Sequence, residues 1–156
     1  MSHDLKWIQH DGGRADAGFS VNNDAGDCVV RAITIATQQT YAFTYAAIAN
    51  LATEHGHSRS ARDGVHPTVY RELLASWGWQ WTPTMRIGEG CTVHLRADEL
   101  PAGHLVVRLS RHLTAVIDGV IYDTHDPSRE GTRCVYGYWR TGAIQEKRKK
   151  RNQTGV

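Results

Sequence analysis

The stretch from Asn22 to Ala36, NNDAGDCVVRAITIA, limits the fold more than any other. A polar loop containing Gly26 runs straight into Val29, Val30, Ala32, Ile33, Ile35 and Ala36, a segment apolar nearly all round. A helix without a broad polar face has to be buried, so the rest of the chain must be built around it. Val and Ile also suit a strand. The alanines, the length through Thr37 and a cap at Asp27 favour a helix. A short side-chain oxygen at Asp27 can accept from an unpaired amide of the first turn. Cys28 then takes the first helical position, at the tip of a helix driven into the core. Unpaired N–H groups and partial positive charge at a helix N-terminus stabilise a thiolate.

Further helical signals follow. Thr40 can cap a helix from Tyr41 to about Thr53, with Tyr41, Tyr45, Ile48, Leu51 and Ala52 on one stripe and Gly56 at its end. Pro67 suits the first turn of a third helix, Thr68–Trp77, ended by Gly78. Trp79, Trp81 and Pro83 read as a short strand. Residues 95–103, LRADELPAG, read as one helical turn. The pattern then turns to strands at His104–Leu109, His112–Ile117, Val120–Thr124 and Thr132–Trp139. Helices followed by an antiparallel sheet make an α+β layout. Residues 1–21 read as an irregular arm anchored by Trp7 and Phe19. Residues 1–146 form one domain, and 147–156 a basic, disordered tail.

Charge and cysteine usage narrow the function classes. KRKKR at 147–151 carries five positive charges against a formal net charge of +2, so the body is mildly acidic. Nothing in the body reads as sequence-specific DNA binding, and a nucleic-acid contact is left only to Lys147–Arg151. No apolar run approaches the ~20 residues of a membrane span. The first ten residues lack the apolar core of a secretory signal. Three cysteines without a CxxC pair suggest a reducing cytoplasm, with Cys91 and Cys134 as packing or surface thiols. A zinc site built from Cys28, Cys91, Cys134 and a histidine lacks the closely spaced ligand pairs of structural zinc, so no metal or other cofactor is expected.

Asp118-Gly119, between two β-rich runs, is a type I′ hairpin signal, and such a turn sets the register. Ile117 then faces Val120, Val116 faces Ile121, Ala115 faces Tyr122, Thr114 faces Asp123 and His112 faces His125. Alternation puts His112, Thr114, Asp123 and His125 on one face, with Leu113, Ala115, Ile117, Val120 and Tyr122 on the other. His112 and Asp123 are diagonal neighbours within side-chain reach. A cysteine at a helix start and a histidine held by a carboxylate are the set that thiol nucleophilic catalysis requires. His125 is the alternative base. Asn22 or Asn23 can help the Cys28 amide hold an oxyanion. Asp27 is an awkward neighbour for a thiolate, and Arg31, one turn on, can neutralise it. Trp77, Trp79 and Trp81 cover the core or line a substrate cleft.

The segments NNDAGDCVVRA and GHLVVRLSRHLTAVIDGVIYDT resemble papain-like cysteine peptidases, most closely small bacterial and phage members of the bacteriocin-processing type. The order Cys, His, Asp is shared, with the cysteine heading a buried helix. The resemblance implies a papain-like fold with Cys28 as nucleophile, His112 as base and Asp123 as the orienting residue. Asn22, six residues before Cys28, stands where the family usually has an oxyanion-hole glutamine. The implied reaction cleaves a peptide, isopeptide or other amide bond of a peptide or protein substrate through a thioester. Deamidases and acyl transferases share that step. Two other readings compete. One is a non-catalytic binding module on the same scaffold, such as a phage-encoded anti-host factor. The other is nucleic-acid contact through the tail.

Overall fold

The computed structural model describes residues 6–19, 27–58 and 64–141. Asn22, Asn23 and the basic segment Lys147–Arg151 lie outside them. The elements are β1 (Lys6–Gln9), α1 (Cys28–Thr37), α2 (Tyr41–Glu54), α3 (Pro67–Ser76), β2 (Trp79–Pro83), β3 (His104–Leu109), β4 (His112–Ile117), β5 (Val120–Asp123) and β6 (Gly137–Thr141). Among the described residues these make a mixed α+β architecture of three helices and one six-stranded sheet. The strand order is β1-β5-β4-β3-β6-β2. Only β1 with β5 is parallel; the other neighbours are antiparallel. Among the described residues no helix is long and apolar enough to cross a membrane.

Local chemistry explains the helices. In α1, Val29, Val30, Ala32, Ile33 and Ala36 are all buried, as an apolar circumference demands. Its end comes at Gln38, whose left-handed backbone lets the amide donate to Ile35 and Thr34 carbonyls. Thr40 caps α2 by accepting from the Phe43 amide. His66 caps α3, accepting from the Thr68 amide, and Pro67 sits in the first turn, where its missing N–H costs nothing.

The helices cover one face of the sheet. Val30 and Ile33 of α1 pack with Val69 and Leu74 of α3 against Val106, Leu113, Ala115 and Trp139. The opposite face is apolar too: Leu105, Val107, Leu109, Val116 and Ile121 are buried under Leu95 and Val135 from the loops. The face expected to carry the polar set is therefore a second core, which buries Thr114 as well. Gly137 in β6 is packed so closely that a Cβ there would meet the Trp81 ring and lie 2.7 Å from the Thr82 carbonyl oxygen, so only glycine fits.

Four expectations are corrected. The N-terminal arm is not irregular throughout, since residues 6–9 add an edge strand to β5. Every residue of that strand is exposed, so no alternation reveals it. Residues 95–103 hold turns rather than a helical turn. The last strand starts at Gly137, not Thr132, because residues 133–136 bond instead to residues 93 and 95 and to Arg108. Finally, Cys91 and Cys134 are not free thiols but a disulfide, with Cα atoms 5.9 Å apart. An isolated β-bridge between His94 and Cys134 brings the two loops together, which a separation of 43 residues hides from the sequence.

Cys28 is then the free cysteine of the fold. Thiol titration of the native oxidised protein is expected to find one thiol per chain, and three after reduction. Loop-closure entropy makes Cys134→Ala cost about 2–4 kcal/mol in urea unfolding, measured against the oxidised parent.

Candidate active site

The site forms where the start of α1 meets the open end of the β4–β5 hairpin. Asp118 and Gly119 both adopt left-handed backbone (φ 47° and 80°), as a type I′ turn requires. The ladder pairs Ile117 with Val120, Val116 with Ile121 and Ala115 with Tyr122, the expected register. It stops there, and Asp123 pairs instead with Gln9 of β1. His112 at the start of β4 and Asp123 at the end of β5 are thus brought together at the end remote from the turn. His112 Nε2–H donates to Asp123 Oδ2 at 2.6 Å.

That bond commits one ring nitrogen and leaves Nδ1 for Cys28, which the imidazole engages by hydrogen bonding and charge. Burial pushes the half-buried Cys28 thiol up, but the hydrogen bond and positive charge of His112 outweigh it, and the thiol lies below its ordinary range. Burial likewise lowers His112, yet hydrogen bonds and charge from Asp123 and Cys28 raise it to about 9. Burial raises the Asp123 carboxyl, while the hydrogen bond and charge of His112 carry it below its ordinary value. The three shifts share one cause: the thiol, the imidazole and the carboxyl stand in a row, and each favours the charged form of its neighbour.

Asp27 behaves differently from expectation. It precedes α1, but its side chain makes no cap. It turns inward and is fully buried, with Oδ1 accepting from Arg14 Nη1 at 3.0 Å and from Arg31 Nη1, and Oδ2 from the Tyr41 hydroxyl at 2.8 Å. The i,i+4 pair with Arg31 forms as expected. Arg31 Nη2 also reaches Asp123 Oδ1 at 3.5 Å. Two guanidiniums therefore balance two carboxylates beneath the Cys28–His112 pair, and the Arg31 charge helps to lower the Cys28 thiol.

Sequence reasoning missed Arg14. It is held by a tight loop in which Asp11 accepts from the Gly13 and Ala15 amides. Gly12 (φ +71°) lets that loop press against the Arg31 backbone, where a Cβ would stand 3.1 Å from Arg31 Cα. The conjunction of Asp11, two glycines and Arg14 was a visible turn signal, but nothing local said where Arg14 points.

The other candidates fall into place. His125 is exposed, its ring centroid 5.1 Å from that of His112, and its Nδ1 is 3.9 Å from Asp123 Oδ1, so it flanks the pair from outside. His112, Asp123 and His125 place possible ligand atoms within 4.8 Å of one another. The 2.6 Å hydrogen bond holds two of these closer than the roughly 3.3 Å between neighbouring ligands of a tetrahedral zinc. Cys91 and Cys134, tied to each other, cannot join Cys28 around a metal. His104 Nδ1–H donates to the Ala36 carbonyl and belongs to the packing of α1.

A pocket of about 300 Å³ opens beside Cys28, walled by Val65, Pro67, Tyr70 and Leu109 with Arg108 and Arg111 at its edge. No tryptophan lines it: Trp79 and Trp139 are in the core, and Trp77 stacks on Phe43 at a separate groove. A larger cavity of about 780 Å³ between the N-terminal loop and the α1–α2 connection holds no cysteine. Comparison of the chain with protein-family models, with curated proteins and with solved structures finds no match.

Proposed function

We propose that this chain is a papain-like cysteine hydrolase that opens a peptide, isopeptide or other amide bond. The single observation that carries this reading is the Cys28–His112–Asp123 row, with its depressed thiol and raised imidazole, at a helix N-terminus that faces a pocket. The Cys28 thiolate attacks the substrate carbonyl carbon. The oxyanion that forms is held by the Cys28 amide and, in this reading, Asn22. The His112 imidazolium gives its proton to the leaving nitrogen as the C–N bond breaks, and a thioester remains. His112 then takes a proton from water, which attacks the thioester and releases the acid and the thiolate. Asp123 holds the ring so that Nδ1 serves the sulfur throughout, and stabilises its positive charge. A peptide or protein substrate belongs to the same reading.

Alkylation tests it directly. With limiting iodoacetamide between about pH 4 and pH 9, Cys28 is expected to react well below pH 8. In His112→Ala the rate at pH 6 falls tenfold or more, since each unit of thiol pKa regained is about a tenfold loss of thiolate. A Cys28 that titrates like an ordinary thiol in both proteins overturns the reading. The same scaffold would then act as a non-catalytic binding module.

A further inference from the structure

Arg108 and Arg111 differ from the two arginines under the triad. Arg14 and Arg31 are buried and paired with Asp27. Arg108, half-buried in β3 opposite Leu113, and Arg111, exposed in the β3–β4 turn, form no ion pair with a carboxylate among the described residues. The guanidinium of Arg108 stands 6.0 Å from the Tyr136 ring centroid. Both arginines line the pocket that contains Cys28 and His112, and no acidic residue is among its described lining. Asp27 and Asp123, the carboxylates of the site itself, are already committed to Arg14, Arg31 and His112. A thiolate–imidazolium pair is neutral overall, so among the described residues the two guanidiniums give the pocket lining an excess of positive charge. A half-buried guanidinium without an anion is costly, and its planar fork matches a carboxylate. Val65, Pro67 and Leu109 give the pocket apolar walls, and low-dielectric walls reduce the screening of that charge.

We propose that this pocket selects substrates with a carboxylate one residue from the bond that Cys28 attacks, with Arg108 and Arg111 as the specificity-determining pair. The carboxylate is either a glutamate or aspartate side chain or the C-terminus of the peptide. The inference rests on Cys28 being the nucleophile proposed above, and the test separates the two claims.

Three chloroacetyl probes serve: N-chloroacetyl-glutamine amide, which is neutral, N-chloroacetyl-glutamate amide, with a side-chain carboxylate, and N-chloroacetyl-glutamine, with a terminal carboxylate. In each, the thiolate forms an S–C bond to the methylene carbon and chloride leaves. One of the anionic probes is expected to label Cys28 about tenfold faster than the neutral one, and which of them does so names the source of the carboxylate. In Arg108→Gln/Arg111→Gln the anionic-to-neutral ratio falls to about 1. In Arg108→Lys, which keeps the charge, a ratio above 1 remains. A far-UV circular dichroism spectrum that matches the parent's shows that the double variant is folded, which is needed because an unfolded thiol also gives a ratio near 1. A ratio near 1 in the parent, with the neutral probe still labelling Cys28 at low pH, overturns the inference and spares the nucleophile. A ratio that survives in the double variant assigns the preference to His112 alone and also overturns it. A Cys28 inert to all three probes removes the nucleophile and this proposal together.

Discussion

Asp27→Asn is expected to cost about 3–5 kcal/mol in urea unfolding, the typical loss when one member of a buried ionic cluster is neutralised. The carboxylate is fully buried and accepts from Arg14, Arg31 and Tyr41. Among the described residues Arg14 Nε and Arg31 Nε have no hydrogen-bond partner in the interior, so both guanidiniums depend on their remaining contacts. Without the negative charge at Asp27, one of the two positive charges is left uncompensated where water cannot reach it. Tyr41→Phe is the internal control: it removes one neutral donor to the same carboxylate and is expected to cost only about 1 kcal/mol. Equal, small effects of the two substitutions would show that the cluster is solvated and would remove it from the account of the site.

The same cluster shows where sequence reasoning stops. The apolar circumference of α1, the Thr40 cap and the Asp118-Gly119 turn are local signals, and each appears at its expected place. The hairpin register follows from the turn alone, so the meeting of His112 and Asp123 was legible before any coordinates. The pair Asp27–Arg31 was legible too, because one helical turn separates them. Arg14 was not, since a contact across thirteen residues through an irregular loop leaves no periodicity. Nor was the Cys91–Cys134 bridge, which depends on how two loops cover the second face of the sheet. Asp27 misled for a related reason: residue type suggests a cap, but a carboxylate with two guanidiniums within reach gains more from them than from one amide. The edge strand at residues 6–9 failed differently, being wholly exposed and so without the alternation on which strand recognition relies.

Asp123→Asn should have a large effect on reactivity, and its signature is a change in pH dependence. His112 has a pKa of about 9 in the fold against an ordinary 6.5, so folding takes up a proton between those values. The protonated ring therefore stabilises the parent fully below about pH 6.5, and that stabilisation is lost as pH rises through about 9. Asp123 supplies the largest upward influence on the ring after burial is set against it. With a neutral asparagine there, burial acts with less opposition and the imidazole pKa falls. Less imidazolium means less thiolate at Cys28, whose depressed pKa depends on that charge. A charge-assisted hydrogen bond is worth about 1.5–3 kcal/mol, so Cys28 alkylation by iodoacetamide at pH 6 should fall about 10–100-fold. In a Cys28→Ser background, which removes the thiol whose lowered pKa gives the opposite slope in this range, the midpoint for urea unfolding should drop as pH rises above about 6.5, and adding Asp123→Asn should leave it nearly level. The two measurements fail separately. A level stability profile in the Cys28→Ser protein would mean that Asp123 does not hold His112 as an imidazolium. Alkylation unchanged in the variant would mean that Asp123 orients nothing the sulfur needs, and that the helix N-terminus and Arg31 alone lower the thiol.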